Sequence, residues 1–304
     1  MAVETQVRID ASGRLGVGAL RVAADYVALL KPRIILLLLV TELGAMIVAA
    51  RGWPGTGVMF GSLLGGALAA GGAGAINCWF DRDIDAVMPR TRRRPIAAGR
   101  IAPGAGLAFG ITVALAGVAL VALSSNLLAA ELAAAGGLVY VFVYTMWLKR
   151  TTSQNIVIGG AAGAFPPLVG WAAVTGSLSP LAWVLFAIIF LWTPPHFWAL
   201  ALVLRRQYAA AKVPMLPVVV GVGRTRRAIV AYTIPMLGVS LLPWLWLGPI
   251  YGFAAVVLGT GFLALAWRAS RTDSGHADVT LFHYSLAYLA LLFVAASLAA
   301  AVRI

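Results

Sequence analysis

Nine stretches of this chain are apolar and long enough to cross a bilayer, and that pattern decides what it can fold into. A bilayer core needs about 20 apolar residues per helix. Runs bounded by charges, Gly-Pro pairs and Ser/Asn turns predict spans near 33–50, 57–80, 104–123, 127–147, 155–174, 180–203, 228–247, 249–268 and 281–302. Composition agrees: 62% of the 304 residues are hydrophobic and 11% charged, against roughly 45–50% and 25% in soluble domains. Mean hydropathy is +0.94. Disorder, a secreted disulfide scaffold and almost every soluble enzyme class are thereby excluded, and the single Cys78 has no partner within the chain. The expected fold is all-α: a polytopic membrane protein of nine transmembrane helices around a central cavity open to the cytoplasmic side.

The formal charge of +13 would suggest nucleic acid in a soluble protein. Its placement gives another cause, and no nucleic-acid partner is expected. The breaks between spans alternate, and 21 of the 23 Lys and Arg fall on one side; only Arg51 and Arg303 lie opposite. The positive-inside rule makes the rich side cytoplasmic, with the N-terminus in and the C-terminus out. The expected location is the bacterial cytoplasmic (inner) membrane. Residues 1–30 hold Glu4, Asp10 and Asp25 and no apolar core, unlike a cleaved signal or transit peptide. They are expected to be a cytoplasmic tail ahead of one helical domain, 31–304.

Charge inside or at the edge of a span costs about 2.5–3.5 kcal/mol per residue and needs a reason. The densest case ends the second span. If the helix continues, Asn77, Asp81 and Asp85 form one stripe at i, i+4 and i+8. Asp83 falls on the opposite face, where Arg82 and the loop arginines can neutralise it. Mg²⁺ is bound by one or two carboxylates plus substrate phosphates, and Arg grips the remaining phosphate oxygens. Topology alone needs Arg but gives no reason for three aspartates beside it. Asn77, Asp81 and Asp85 are therefore the candidate metal and catalytic residues. Carboxylates splayed into solvent, or locked to the arginines with no room for an ion, would leave only the nine-span architecture standing.

The string Asn77-xxx-Asp81-xxx-Asp85 resembles the first aspartate-rich motif of the UbiA-type intramembrane prenyltransferases. Its continuation from Met88 to Pro95 is similar to the haem O synthase branch of that superfamily. So are Leu30 to Ile34, Tyr144 to Arg150, Gln154 to Gly160, Pro194 to Leu202 and Val213 to Val219. The likeness runs over nearly the whole chain. It implies farnesyl transfer from farnesyl diphosphate to a vinyl group of haem b, with water added, giving haem O and diphosphate for haem-copper oxidases. It also implies Mg²⁺, haem b as substrate rather than cofactor, a bilayer setting and a downstream haem A synthase. Lys31, Arg92, Arg93, Lys149 and Arg150 would take the diphosphate.

His196 follows Pro194-Pro195, which interrupts the sixth span's hydrogen-bond ladder. Irregular backbone at that depth is tolerated where it lines a cavity, so His196, with Asn155 and Trp198, is read as facing haem. His196 could ligate iron, bond a propionate or carry a proton; otherwise it repairs the kink. Gly61, Gly65, Gly66, Gly71, Gly72 and Gly74 suit close helix packing. Glu42, in the middle of the first span, stays open between a cavity group and a hydrogen-bonded neighbour.

One departure stands out. Family members carry a second aspartate-rich motif after the sixth span; here the position is Gln207, in Arg205-Arg206-Gln207-Tyr208, and no Asp or Glu occurs between Glu131 and Asp273. A second carboxylate-held metal from this loop is excluded. Arg205, Arg206 and Lys212 are expected to neutralise diphosphate there, with Tyr208 and Gln207 bonding it. Two other readings remain at this stage: a prenyltransferase for a quinone precursor or tetrapyrrole alcohol, and a transporter.

Overall fold

A computed structural model describes residues 19–272 and 274–302. Arg8, Arg14, Asp273 and Arg303, and most of the expected tail, lie outside the described residues. Among those described, nine helices are long and apolar enough to span a bilayer: Pro32–Ala50, Thr56–Phe80, Pro103–Ser124, Leu127–Thr151, Asn155–Thr175, Pro180–Val203, Val222–Leu247, Pro249–Arg271 and Gly275–Val302. They are called the first to ninth spans below. Their number and order are those the apolar runs predict.

Two edges differ. The seventh and ninth spans begin about six residues before their apolar runs, taking in Arg224, Arg226 and Arg227, and Asp278. Arg226 and Asp278 pair with each other, Nη2 to Oδ2 at 2.9 Å, with both side chains buried. A charge bounds an apolar run, but a helix continues past it when the charge is matched inside the bundle.

Small residues set the packing of the second span, as its composition suggests. A Cβ on Gly65 would lie 2.8 Å from the Gly117 carbonyl oxygen, and one on Gly72 would strike the Gly110 carbonyl and the Ala114 backbone. The second and third spans therefore touch backbone to backbone, a contact in which dispersion drives association in lipid. Backbone cannot step aside as a flexible side chain can. Gly72→Val should lower stability by about 3 kcal/mol, the upper end for overpacking, read as a drop in the unfolding midpoint in detergent. An unchanged midpoint would refute this packing account.

The part of the expected tail that is described, residues 19–29, is a helix. Arg100 clasps Asp25 through Nε and Nη2 at 2.9 Å, and Tyr26 meets Phe109 edge-on at 4.8 Å. Leu29 is fully buried beside Ala75, Cys78, Ile96 and Ile101. This helix and the loop after the second span thus fix one another over the basic end of the bundle.

The sixth span runs from Pro180 to Val203 straight through Pro194 and Pro195. The prolines remove amide donors without ending the helix. The fifth is jointed between Gly159 and Ala161 and continues through Pro166 and Pro167. Glu42 is buried and accepts from Ser62 Oγ at 2.8 Å, which makes it a hydrogen-bonded link between the first and second spans.

Candidate active site

The second span ends at Phe80, yet the ladder does not stop. Asp81 donates its N–H to the Asn77 carbonyl at 2.9 Å and Asp85 to the Asp81 carbonyl at 2.8 Å, into the short helix Arg82–Val87. Helical spacing is kept across the joint. Asn77, Asp81 and Asp85 therefore share one buried stripe, at 3%, 0% and 2% exposure. Asp83 points outward, its side chain 62% exposed. Its partner is Arg150, which forks onto both oxygens at 2.7 and 2.8 Å, not Arg82. The Arg150 guanidinium pulls the Asp83 carboxyl down to about 2.

The fourth span supplies the opposing wall through a local change of helix type. Val139–Leu148 is a π-helix, a wider turn that recurs at functional sites. In an α-helix of about 100° per residue, Tyr140 and Lys149 would face opposite ways. The wider turn brings Tyr140, Thr145 and Lys149 onto one face. Thr145 and Lys149 then each meet a rung of the opposite ladder. Asn77 Nδ2 donates to Thr145 Oγ1 at 3.0 Å and to Asp81 Oδ2 at 2.7 Å. Lys149 Nζ pairs with Asp81 Oδ2, and Arg150 Nη2 lies 3.4 Å from Oδ1.

Lys31 closes the top. It caps the first span ahead of Pro32 with a left-handed backbone, φ 57°, a conformation that costs a non-glycine residue of order 1 kcal/mol. That turn aims Nζ at Asn77 Oδ1, 2.5 Å away, and at the Tyr140 hydroxyl, 3.2 Å away. The amide oxygen of Asn77 is thereby taken by a lysine.

Asp85 is held by Arg94, whose Nη1 reaches both carboxylate oxygens at 2.7 and 2.8 Å. Of the three arginines in the run, it is the third that turns inward. Arg92 and Arg93 are exposed. Tyr208, from the loop after the sixth span, is buried with Ile84, Met88 and Ile156. Burial pushes its hydroxyl up, while the charges of Arg90 and Arg94 pull it back. Arg205, Arg206 and Lys212 are exposed on that loop. Gln207 Oε1 is buried without a partner.

Both carboxylates of the stripe are therefore in ion pairs. Does this donor set still fit a divalent ion? Among the described residues no three His, Cys, Asp or Glu converge, so the stripe offers two carboxylates. One or two carboxylates are what Mg²⁺ takes when substrate phosphates and water complete its shell. The carboxylates are buried, hard and one helical turn apart, and the group fits. The cations paired to them, Lys149 and Arg94, are the groups a diphosphate would attract.

The residues read as facing haem are Asn155, at the start of the fifth span, and His196 and Trp198, in the sixth. His196 is 6% exposed and stacked between Trp192, at 4.2 Å, and Phe282, at 4.9 Å. Asn155 is fully buried, and neither its amide nitrogen nor its oxygen has a partner. A buried amide without partners forfeits about 1–3 kcal/mol. Trp198 stands apart: it packs edge-on against Tyr232 at 5.1 Å in the hydrophobic core. Sequence reasoning did not single out Arg94, Tyr140 and Thr145, which touch the stripe or Lys31, or Ser285, which touches His196. Only Arg94 had a signal, its place in the run, and nothing there singles it out.

The UbiA prenyltransferase family matches residues 38–292. A protoheme IX farnesyltransferase of Granulibacter bethesdensis is 50% identical over 285 residues, covering 90% of this chain and 89% of the relative. One from Acidiphilium cryptum is 51% identical over 283 residues, covering 89% of each. Among solved structures, a UbiA homologue from Archaeoglobus fulgidus bound to DMAPP and Mg²⁺ superposes with a TM-score of 0.69. It is 16% identical and covers 92% of this chain and all of its own.

Proposed function

The chain belongs to the UbiA prenyltransferase family, and from that premise we propose how its residues divide the work. It is a prenyltransferase that moves the farnesyl group of farnesyl diphosphate onto a vinyl group of haem b, with addition of water, making haem O and diphosphate. Half-identity to protoheme IX farnesyltransferases over about nine-tenths of the chain carries this reading. It replaces the quinone-precursor and transporter readings.

Asp81 and Asp85 would hold Mg²⁺, whose role is to stabilise charge on the departing diphosphate. Asn77 holds Asp81 in register and is itself held by Lys31 and Thr145. Lys149, Arg150 and Arg94, with Lys31 behind them, supply positive charge where the leaving group develops its negative charge. Such preorganised charge is commonly the largest catalytic contribution. Tyr208, buried beside Ile84 and Met88, completes the rim. Arg92, Arg93, Arg205, Arg206 and Lys212 act at longer range, drawing an anionic substrate to the mouth. Asn155 and His196 face the haem, and stacked rings around them shield the allylic cation from water. The basic end lies in the cytoplasm of a bacterial inner membrane, supported by the charge asymmetry. There haem O would pass to a haem A synthase.

The direct test incubates purified protein with haem b, farnesyl diphosphate and Mg²⁺. Mass spectrometry should find haem that has gained one farnesyl and one hydroxyl group. No such product would overturn the reading. With Gln207 in place of a second acidic motif, calorimetric titration should find one tight Mg²⁺ per diphosphate-loaded site. Two would show carboxylates from elsewhere in the chain joining the site.

A further inference from the structure

Two short contacts at His196 leave only one way to place the hydrogens. Its Nδ1 lies 2.6 Å from Ser285 Oγ in the ninth span, and that Oγ lies 2.6 Å from the carbonyl oxygen of Phe282. Polar atoms this close need a hydrogen between them. A carbonyl has none to give and a serine hydroxyl has one. The serine hydrogen must therefore go to Phe282, and the hydrogen between His196 and Ser285 must be the ring's own, on Nδ1. In a neutral ring this leaves Nε2 as a bare lone pair, and Nε2 has no protein partner among the described residues. The serine is itself fixed: it is fully buried, and the Trp192 indole N–H donates to its carbonyl at 2.8 Å. Trp192 and Phe282 then sandwich the ring, so its plane is set as well as its tautomer.

We propose that Ser285 is the positioning residue of the haem site, accepting the Nδ1 hydrogen of His196 so that Nε2 is presented as the axial ligand to the iron of the haem substrate. Imidazole is a common iron ligand. The partner of its second nitrogen decides which tautomer binds and how strongly, and losing such a partner typically costs 10- to 100-fold in affinity. The proposal rests on the reading of haem b as acceptor and is separable from it. Phe282 lies one helical turn before Ser285, so the ninth span supplies both the hydrogen acceptor and one face of the sandwich.

The test is a haem b titration of the full-length protein in detergent, followed by absorption and electron paramagnetic resonance, alongside farnesyl transfer. Wild type should show a nitrogen axial ligand, and His196→Ala should lose it, with exogenous imidazole restoring the signal. Ser285→Ala should weaken haem binding at least tenfold and broaden the resonance as both tautomers mix. Ser285→Thr, which keeps the hydroxyl, should behave as wild type, and Ser285→Cys, a weaker acceptor, should fall between. A Cys variant equal to wild type overturns the role of Ser285 even if the Ala variant fails to fold. Unaltered haem binding in Ser285→Ala, with the signal lost in His196→Ala, also overturns it and leaves the haem reading intact. No nitrogen ligand in wild type removes iron ligation altogether.

Discussion

Asp81→Asn is expected to cut farnesyl transfer by roughly a thousandfold, the scale at which removing a central electrostatic group shows in turnover. The exchange preserves shape and an acceptor for the Asn77 amide, and removes one unit of charge. That charge has two employers. Within the folded protein it offsets Lys149, whose side chain is 14% exposed while that of Asp81 is 0% exposed. Breaking such a pair from one side typically costs about 3–5 kcal/mol, because a buried cation is left unmatched. Lost activity in the single variant could thus be lost protein. Asp81→Asn combined with Lys149→Met separates the two, since it removes both charges and should return most of the unfolding midpoint while turnover stays absent. Asp85→Asn should lose activity to a similar degree at a smaller cost in stability, because its partner Arg94 is 25% exposed and can reach water. Full activity in both aspartate variants would refute the assignment of metal and leaving-group chemistry to this stripe.

How much of this could be read before the fold was known depends on whether a feature is local. Asn77, Asp81 and Asp85 were legible because helical spacing alone puts them on one face, and the joint at Asp81 keeps that spacing. The side that Asp83 takes was legible for the same reason. Its partner was not, since Arg150 approaches from another span. The facing ladder of Tyr140, Thr145 and Lys149 was illegible in principle to a reading at 3.6 residues per turn, because a π-helical stretch changes the period. Nor does a run of three arginines say which one turns inward; Arg94 does so because the loop folds back to bury Thr91, Pro95 and Ile96. Asn155 and His196 were singled out through flanking motif and proline context. The partner of His196, some ninety residues away, leaves no local trace.

Arg226→Met is expected to lower stability by about 3–5 kcal/mol with catalytic chemistry untouched, a purely structural effect. Neither Arg226 nor Asp278 belongs to an apolar run, yet their side chains are 7% and 6% exposed. The guanidinium binds three spans at once. It sits in the seventh, donates through Nε and Nη2 to Asp278 at the start of the ninth, at 3.1 and 2.9 Å, and through Nη1 reaches the Thr272 carbonyl after the end of the eighth, at 2.6 Å. Lipid tails are as apolar as the helices, so hydrophobicity gives these spans little reason to stay together; a shared polar anchor does. Asp278→Asn should cost less, because an amide still accepts one guanidinium bond and the Thr272 contact survives. Removing both charges, with Arg226→Met and Asp278→Leu, should recover much of the loss, as buried pairs replaced by apolar groups often do. The check is the unfolding midpoint in detergent, with farnesyl transfer measured well below it. A double variant no more stable than Arg226→Met would mean that the ion pair with Asp278 is not what holds the three spans.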